Sequence, residues 1–433
     1  MMRRRRLPPV PALSAGRMDA LLFLCHRLPL PPDRGDRIRL THVLRHLAAR
    51  HRVHLGCLID APDPDTDPDP GPQLAALRGL CARVVAIPAH PAARALRALG
   101  RGAQGGALSA GWFAHPGLTR FIAETAALRP AASYVFGATM FRPGLPGRVI
   151  LDMVECDSEK WDARAERAAP PLAALWRHEA ARLRALEAQA AGAAAATLFA
   201  AAADAEGFAA RHPALAPRIA TVTNGVDADW FDPARGFARP FAGPGPHLVF
   251  TANFDYWPNE AAARWFAAEV MPRLRGRRAV LHLVGAGPGA ALRRLARPGE
   301  VVVTGRVPDI RPYLAHADVV VAPLRWARGV QNKALEALAM ARPVVASAAA
   351  ARGIAAIPGQ EWLVADEAPA MADAIGAVLD GAHPGLGAAG RARMLRGFGW
   401  PWVLTALDAA LGGAGSSSGF GSTPDRLAAM LPP

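Results

Sequence analysis

The residues best suited to chemistry are four polar side chains near the start of a predicted helix. Gln331, Asn332, Lys333 and Glu336 lie in the segment Val330–Met340, whose other residues are all apolar. Lys333 and Glu336 are three residues apart, so they share one face of a helix. A carboxylate at that place can accept two hydrogen bonds from neighbouring hydroxyls, as a ribose offers them, or it can form an ordinary surface pair with Lys333.

The loop before this helix is basic. It contains Arg325, Arg328 and Gly329. The first turn of a helix has unpaired N–H groups and a partial positive charge, which favour bound anions. Together with Lys333, this loop and helix start are suited to a diphosphate. We therefore expect Lys333, Arg328 and Arg325 to lie beside a bound diphosphate, with Gly329 between the loop and the helix.

Two residue types are rare enough in this chain to be informative. Of its 50 Lys and Arg residues only two are lysine, Lys160 and Lys333. The four asparagines are Asn224, Asn253, Asn259 and Asn332. Lys and Asn have AT-rich codons, whereas the abundant Ala, Arg, Gly and Pro have GC-rich ones, so the rare types should persist where their chemistry is hard to replace. The three short segments that contain the asparagines are therefore candidate functional segments, and chance placement with turn propensity is the alternative.

Composition excludes several classes of protein. The chain has 433 residues, 52% of them hydrophobic, and a formal net charge of +14. Its arginines are dispersed and no nucleic-acid-binding motif occurs, so we expect no nucleic-acid partner. The four cysteines lack zinc-site spacing, which indicates a reducing, cytoplasmic compartment and no metal site. No apolar run reaches the length of about 18 residues that a spanning helix needs. Peripheral membrane contact through the N-terminal arginines or basic helices stays open.

Strands and helices alternate along most of the chain. A strand at Ala20–Cys25, a helix at Arg37–Arg50 and a strand at Arg52–Ile59 form a predicted βαβ unit. A second alternating series begins at His247, after the Gly/Pro-rich linker Arg235–Pro246. The predicted fold class is α/β, with two Rossmann-like doubly wound domains. The predicted segments are a disordered leader over 1–17 with Met18 as the natural start, an N-terminal domain over 18–225, a C-terminal domain over 226–411 whose last helix can pack back on the first domain, and a disordered tail over 412–433.

Two segments look like binding motifs without having the required context. Asp63/Asp65 and Asp67/Asp69 form Asp-x-Asp pairs, but proline alternates with aspartate through Asp60–Pro72, which predicts a solvated linker. The glycines of Val284–Gly289 fall at alternate positions rather than in dinucleotide-binding spacing. We interpret this segment as a tight strand-to-helix turn and expect no cofactor.

The segment Gly329–Val345 resembles the signature of a known enzyme family. Its end, Glu336-Ala-Leu-Ala-Met-Ala-Arg-Pro343-Val-Val-Ala346, is similar to that of retaining GT-B glycosyltransferases of family 4, the glycosyl transferases group 1. Asn224–Asp227 with Trp230–Pro233, and Thr304–Val307 with Tyr313–Asp318, resemble further blocks of the family, so that the likeness spans about Asp19–Leu411. Three segments resemble one branch more closely, the sugar transferases associated with exosortase/PEP-CTERM exopolysaccharide systems: His26–Arg39, Asp255–Asn259 and Ala322–Lys333.

The resemblance implies a GT-B fold, with two Rossmann-like domains facing across a cleft. It implies a nucleotide-diphosphate sugar donor held mainly by the C-terminal domain and a glycan or polyprenyl-linked acceptor held mainly by the N-terminal one. Transfer would retain the anomeric configuration and need neither a metal nor a cofactor. A sugar-nucleotide epimerase of the same fold and a non-enzymatic basic membrane-surface protein are the alternatives.

The chain departs from the family pattern at two places. The first of the family's two glutamates falls on Arg328, and the Arg and Lys that bind the diphosphate after the first strand of the second domain are replaced by Asn253–Asn259. We therefore expect Lys333, Arg328 and Arg325 to provide the charge for the phosphates. Asp36 and Asp152 are carboxylates that could contact the acceptor or serve a capping or structural role. The predicted catalytic residues are Lys333, Arg328 and Asp36, and the predicted donor-binding residues are Glu336, Asn332, Gln331, Gly329, Arg325, Gly305, Arg306, Val307, Asn253, Asp255 and Gly35.

Overall fold

The computed structural model describes residues 19–60 and 70–412. The predicted leader, the Asp-x-Asp pairs and the predicted tail beyond residue 412 lie outside the described residues. The chain divides into two compact units, with the change from one to the other between Val222 and Thr223. The C-terminal unit comprises Thr223–Val403, and the chain returns to the N-terminal unit at Leu404.

The N-terminal unit is built on a seven-stranded parallel sheet, in the order β3-β2-β1-β4-β5-β6-β7. The first strand reads Ala-Leu-Leu-Phe-Leu-Cys, and all but its first residue are buried, as expected of a strand covered on both faces. The strands are β1 Ala20–Cys25, β2 Arg52–Ile59, β3 Arg83–Pro88, β4 Ala132–Phe136, β5 Arg148–Val154, β6 Ala196–Phe199 and β7 Ile219–Thr221.

Nine helices belong to this unit within the described residues. They are α1 Gly35–Ala48, α2 Gly71–Leu80, α3 Pro91–Ala103, α4 Leu108–Trp112, α5 Pro116–Ala126, α6 Asp157–Ala165, α7 Pro170–Ala193, α8 Ala202–Arg211 and, after the C-terminal unit, α17 Thr405–Gly412. Helix α17 contacts the sheet through Arg148 of β5, whose Nε donates to the Ala410 carbonyl at 3.2 Å, and contacts α1 through a hydrogen bond of 2.7 Å between His46 and Asp408. Helix α2 begins inside the segment that the Asp/Pro pattern predicts as a linker.

The C-terminal unit has a six-stranded parallel sheet in the order β10-β9-β8-β11-β12-β13. Its strands are β8 His247–Thr251, β9 Val280–Val284, β10 Val301–Gly305, β11 Val319–Ala322, β12 Val344–Ala346 and β13 Leu363–Val364. Its helices are α9 Trp257–Trp265, α10 Ala290–Arg293, α11 Arg311–Ala315, α12 Asn332–Ala339, α13 Ala348–Ala351, α14 Ala368–Leu379, α15 Leu386–Gly397 and α16 Trp400–Val403. Both sheets are parallel and doubly wound, so the predicted fold class is confirmed.

One predicted helix differs in its extent. The periodicity predicts a helix over Asn259–Leu274, whereas α9 ends at Trp265. A π-helical turn follows at Phe266–Val270, and 3₁₀ turns follow over Met271–Arg277. Pro272 lacks the N–H that a regular helix would use and its ring crowds the preceding turn, which explains the change. Within residues 19–60 and 70–412, no helix is both long and apolar enough to span a membrane.

Candidate active site

The candidate site lies at the carboxyl edge of the C-terminal sheet. The strand order reverses between β8 and β11, and doubly wound sheets bind ligands outside the strand ends at such a point. The loop after β8 contains Asn253 and Asp255, and the loop after β11 contains Arg325, Arg328 and Gly329. Parallel pairing of β8 with β11 places these two loops side by side.

Lys333 links the two loops. Its Nζ donates a hydrogen bond of 2.8 Å to Oδ1 of Asn259 at the start of α9, and it lies 5.5 Å from the centroid of the Phe250 ring. Gln331 Oε1 lies 3.5 Å from the same nitrogen. Burial lowers the pKa of Lys333 to about 8, and the negative charge of Glu336 opposes that shift. The ammonium is therefore poorly solvated and faces neutral oxygens, so an anionic ligand would stabilise its charge.

The four asparagines of the chain meet around this lysine. Asn224 donates from Nδ2 to Oδ1 of Asn332 at 3.0 Å, and Asn259 donates from Nδ2 to the Asn253 carbonyl at 2.7 Å. Asn332 Nδ2 and Asn253 Oδ1 are buried, and neither has a hydrogen-bond partner among the described residues. Buried polar atoms without partners are rare and costly, so both are candidates for ligand contact.

Gln331 immediately precedes α12 and binds the loop before it. The helix begins at Asn332, two residues later than predicted, and the Gln331 side chain donates from Nε2 to the Arg328 carbonyl at 2.9 Å. Gly329 has a φ of 58°, a left-handed conformation that glycine adopts without strain. These contacts fold the basic loop against the helix N-terminus, whose first N–H groups suit an anion.

Glycines after β9 hold the Asn253 loop in place. Gly285 has a φ of 148° and packs so closely on the Ala252 carbonyl that a Cβ would overlap it. Gly287 has a φ of 71°, and a Cβ there would lie 2.9 Å from the Asp255 nitrogen. The Ala286 carbonyl accepts from the Phe254 N–H at 2.8 Å. The Val284–Gly289 segment is thus a tight turn that supports its neighbour, as the sequence predicts.

Aromatic side chains border the site. Trp257, in the first turn of α9, and Trp326, in the loop after β11, have ring centroids 5.4 Å apart. Both are half-buried, so part of each ring remains accessible. Tryptophan presents a flat apolar face that packs against the C–H groups of a ligand. Sequence reasoning did not single out these two residues.

The structure does not bring all predicted donor residues into the Lys333 network. Arg325 is exposed, donates to the Asp366 carbonyl at 3.2 Å and lies over the Trp265 ring at 5.0 Å. Arg328 and Glu336 are half-buried at the site. The remaining predicted positions lie at loop ends after their strands: Gly305, with a φ of 70°, exposed Arg306 and half-buried Val307 after β10, and exposed Asp255 after β8.

Two predicted residues belong to the N-terminal unit. Gly35 and Asp36 open α1. Asp36 Oδ2 lies 3.0 Å from Arg27 Nη1 and 3.5 Å from His26 Nε2. Burial alone would raise the pKa of Asp36, but the hydrogen bond from His26 and the charge of Arg27 hold it well below its ordinary value. The carboxylate is therefore ionised and paired at the carboxyl end of β1.

Asp152 has a structural role. It is fully buried and binds the buried Arg39 guanidinium with two hydrogen bonds of 2.7 and 2.9 Å. The Tyr134 hydroxyl donates to the same carboxylate. Arg39 also donates to the Val222 carbonyl at 2.7 Å, so this network connects α1 to the last residue before the C-terminal unit. Because these donors occupy its carboxylate, Asp152 stabilises the fold of the N-terminal unit.

Asn224, Asn259, Trp257 and Trp326 are site residues outside the predicted set. The rarity of asparagine marks the first two in the sequence, and the tryptophans lie in the segments Asp255–Asn259 and Ala322–Lys333 that resemble one branch of the family. Within the described ranges, no group of three or more His, Cys, Asp or Glu side chains is placed to hold a metal ion.

Comparison with known families bears on the C-terminal unit. Residues 245–381 match a family model described as "Glycosyl transferases group 1". The match supports a glycosyltransferase. It includes β8–β13 and every residue of the Lys333 network except Asn224. None of the curated proteins compared with the chain matches it.

Solved structures share the fold over almost the whole chain. Sucrose-phosphate synthase from Thermosynechococcus elongatus is 18% identical with a TM-score of 0.64, over 90% of this chain and 97% of its own. Anabaena HepE, solved in complex with UDP and glucose, is 14% identical with a TM-score of 0.61, over 91% and 99%. WaaG, a glycosyltransferase involved in lipopolysaccharide biosynthesis, is 17% identical with a TM-score of 0.61, over 92% and 100%. At these identities the likeness establishes the two-domain GT-B fold.

Proposed function

We propose that this protein transfers a sugar from a nucleotide-diphosphate sugar to a glycan or polyprenyl-linked acceptor, with retention at the anomeric carbon. The supporting observation is the convergence of Lys333 and all four asparagines at the strand-order reversal of the C-terminal sheet. A desolvated ammonium beside a helix N-terminus matches the charge of a diphosphate. The UDP and glucose bound to the structurally similar HepE are consistent with such a donor.

Each side chain has a distinct task in this proposal. Lys333 and Arg328 stabilise the charge that develops on the leaving diphosphate, so that fixed cations take the place of a metal. Glu336 accepts hydrogen bonds from the ribose hydroxyls, and the backbone of Gly305–Val307 lies along the nucleobase. The unpartnered Asn332 Nδ2 and Asn253 Oδ1 contact the diphosphate and the sugar hydroxyls respectively.

The proposed chemistry needs no protein nucleophile. The bond from the anomeric carbon to the diphosphate oxygen breaks, and the bond to the acceptor hydroxyl oxygen forms on the same face of the sugar. The acceptor proton passes to the departing diphosphate. We further propose that the reaction serves exopolysaccharide synthesis, as in the exosortase-associated branch, and that the protein is cytoplasmic with peripheral contact to the inner membrane surface.

A panel of nucleotide sugars tests the proposal. Thermal stabilisation and slow donor hydrolysis are measured for each nucleotide sugar, with the wild type, Lys333→Ala and Arg264→Ala. Arg264 is an exposed residue of α9 and serves as the matched control. We expect one donor to stabilise the wild type and Arg264→Ala, and Lys333→Ala to lose about tenfold or more in turnover. No response to any donor would refute the proposal, and interconversion of a donor without an acceptor would identify an epimerase instead.

A further inference from the structure

Helix α3 of the N-terminal unit exposes two leucines and buries an arginine, the reverse of an ordinary amphipathic helix. Leu96 and Leu99 are 71% and 65% exposed, while Arg94 on the opposite side of the helix is buried. Arg94, Arg97 and Arg101 follow each other at spacings of three and four residues, so they form one stripe on the helix. This stripe lies against α4, where a Cβ on Gly111 would meet the Arg97 carbonyl oxygen and the Arg101 Cβ, the latter at 2.8 Å.

Among the described residues, one carboxylate forms an ion pair with this stripe. Arg94 pairs through Nη1 with Asp60 at 3.1 Å, and Asp60 also lies 3.8 Å from Arg27. The other two guanidinium nitrogens of Arg94, and Nε and Nη2 of Arg97, are buried without a hydrogen-bond partner in the described part of the chain. Glu179 accepts instead from the first N–H groups of α4 at 2.7 and 2.8 Å.

A further guanidinium joins the stripe from the segment after β4. Arg142 donates to three backbone carbonyls, those of Thr139, Phe141 and Phe113, at 2.8, 2.7 and 3.2 Å. No described carboxylate forms an ion pair with it. Burial, together with the charge of Arg101, lowers the pKa of Arg142 to about 10. The cluster therefore contains four arginines, Arg94, Arg97, Arg101 and Arg142, for which Asp60 is the one described ion-pair partner.

This arginine cluster lies where the N-terminal sheet would hold a ligand. The Phe113 carbonyl that Arg142 binds belongs to a residue whose ring packs on His26 at 5.2 Å, and His26 follows β1 directly. His26 also stacks on Phe136, the last residue of β4, at 5.6 Å. The strand order reverses between β1 and β4, which is the ligand-binding edge of a doubly wound sheet.

Codon bias toward arginine does not account for the two inner members of the cluster, Arg94 and Arg97. Such bias fills exposed positions, where an extra charge is nearly neutral. Arg101 is exposed, but guanidinium nitrogens that are buried without acceptors, as on Arg94 and Arg97, are destabilising because they lose hydration without gaining hydrogen bonds. A bound anion would supply both the charge and the acceptors, and guanidinium groups match phosphate oxygens in pairs.

We infer that the arginine cluster binds a phosphate or diphosphate group of the acceptor. The identity of the ligand as the acceptor rests on the proposed function, whereas anion binding by the cluster does not. The exposed Leu96 and Leu99 lie on the outer side of the helix that contributes three of the cluster's arginines, and provide an apolar surface for a lipid that carries the phosphate. A lipid-linked and a soluble phosphate-bearing acceptor share this headgroup chemistry.

Calorimetric titration with inorganic pyrophosphate tests the cluster. The Lys333→Ala background is used throughout, so that the proposed donor site contributes little binding. We expect Arg97→Gln and Arg101→Gln each to weaken pyrophosphate binding about tenfold, since each removes a charge-assisted hydrogen bond. Arg120→Gln, at an exposed position of α5, is the matched control and should bind as the background does. Unchanged affinity in both cluster variants, with unfolding temperatures like that of the control, would overturn the inference.

Vesicles distinguish the two sources of the phosphate. Binding is compared for phosphatidylcholine vesicles with and without a polyprenyl diphosphate, using the same background, Arg97→Gln and the double variant Leu96→Ser/Leu99→Ser. If polyprenyl diphosphate strengthens binding to the vesicles and both variants lose this increase, a lipid-linked acceptor is supported. Arginine-dependent pyrophosphate binding without that gain supports a soluble one. Absence of arginine-dependent binding in both experiments contradicts the site. Failure of the proposed function would appear separately, as a wild type that binds no nucleotide sugar.

Discussion

The protonation of Lys333 makes donor capture sensitive to pH. Burial lowers the pKa of this lysine to about 8, with Glu336 opposing the shift, so its charge is lost within the range in which the protein can be assayed. If the ammonium stabilises the donor diphosphate, kcat/KM for the donor should follow its protonated fraction, because kcat/KM reports the ionisation of the free enzyme. The perturbation is a rise of pH from 7 to 9.

The magnitude follows from the pKa. About nine-tenths of Lys333 is protonated at pH 7 and about one-tenth at pH 9, so kcat/KM should fall about tenfold over this interval. Lys333→Arg keeps its charge throughout, because a guanidinium does not deprotonate in this range. Its kcat/KM should therefore lack the fall, whatever its absolute value. Lys333→Met should be low at every pH.

Stability should change in the opposite direction. The ordinary pKa of 10.5 belongs to the unfolded chain, so between pH 8 and 10.5 the unfolded state binds more protons than the folded one. The free energy of unfolding therefore rises with pH in this window, by about 1 kcal/mol from pH 7 to 9 relative to Lys333→Met. Activity that falls while stability rises cannot result from unfolding.

The assay measures initial rates of donor turnover at subsaturating donor from pH 6.5 to 9.5 for the three proteins. Urea unfolding at pH 7 and 9 accompanies the rates. A wild-type profile that stays level to pH 9.5, or a Lys333→Arg profile with the same fall as the wild type, would refute the role assigned to the Lys333 charge.

Three further outcomes are expected. Glu336→Ala should lower donor turnover about tenfold or more through loss of a charged hydrogen bond, and near-normal turnover would show that the ribose contact is wrongly placed. Gly285→Ala should lower the free energy of unfolding by more than about 1 kcal/mol in urea, because its positive φ and the nearby Ala252 carbonyl disfavour a Cβ; unchanged stability would contradict the tight turn. Burial, helped by the neighbouring His247, lowers the pKa of His282 to about 4, so the unfolded state binds more protons below pH 6.5. Unfolding free energy should therefore fall by about 2 kcal/mol from pH 7 to 5, and His282→Gln, measured by the same urea titration, should lack this part of the fall.

Much of the fold could be predicted because the strands are buried on both faces. The predicted bounds of the strands Ala20–Cys25 and Arg52–Ile59 agree with the structure. Helix α3 was not predicted, and its amphipathic pattern would have given the wrong orientation, because Arg94 faces the protein while Leu96 and Leu99 face outward. The helix after β8 was predicted too long, because Pro272 acts on backbone hydrogen bonds rather than on the apolar pattern.

The sequence by itself determined the alternation of strands and helices and the family-like segment Gly329–Ala346. The rarity of asparagine also marked three candidate functional segments. Only the tertiary structure decided that these segments meet. Asn224 and Asn332 are 108 positions apart and Lys333 and Asn259 are 74 apart, yet each pair is joined by a hydrogen bond. For Lys333 and Asn259 the reason is topological: β8 and β11 pair directly in a parallel sheet, which brings the loops at their carboxyl ends together and removes water from the Lys333 ammonium. The spacing of these residues along the sequence indicates neither the order of the strands in the sheet nor the desolvation of Lys333.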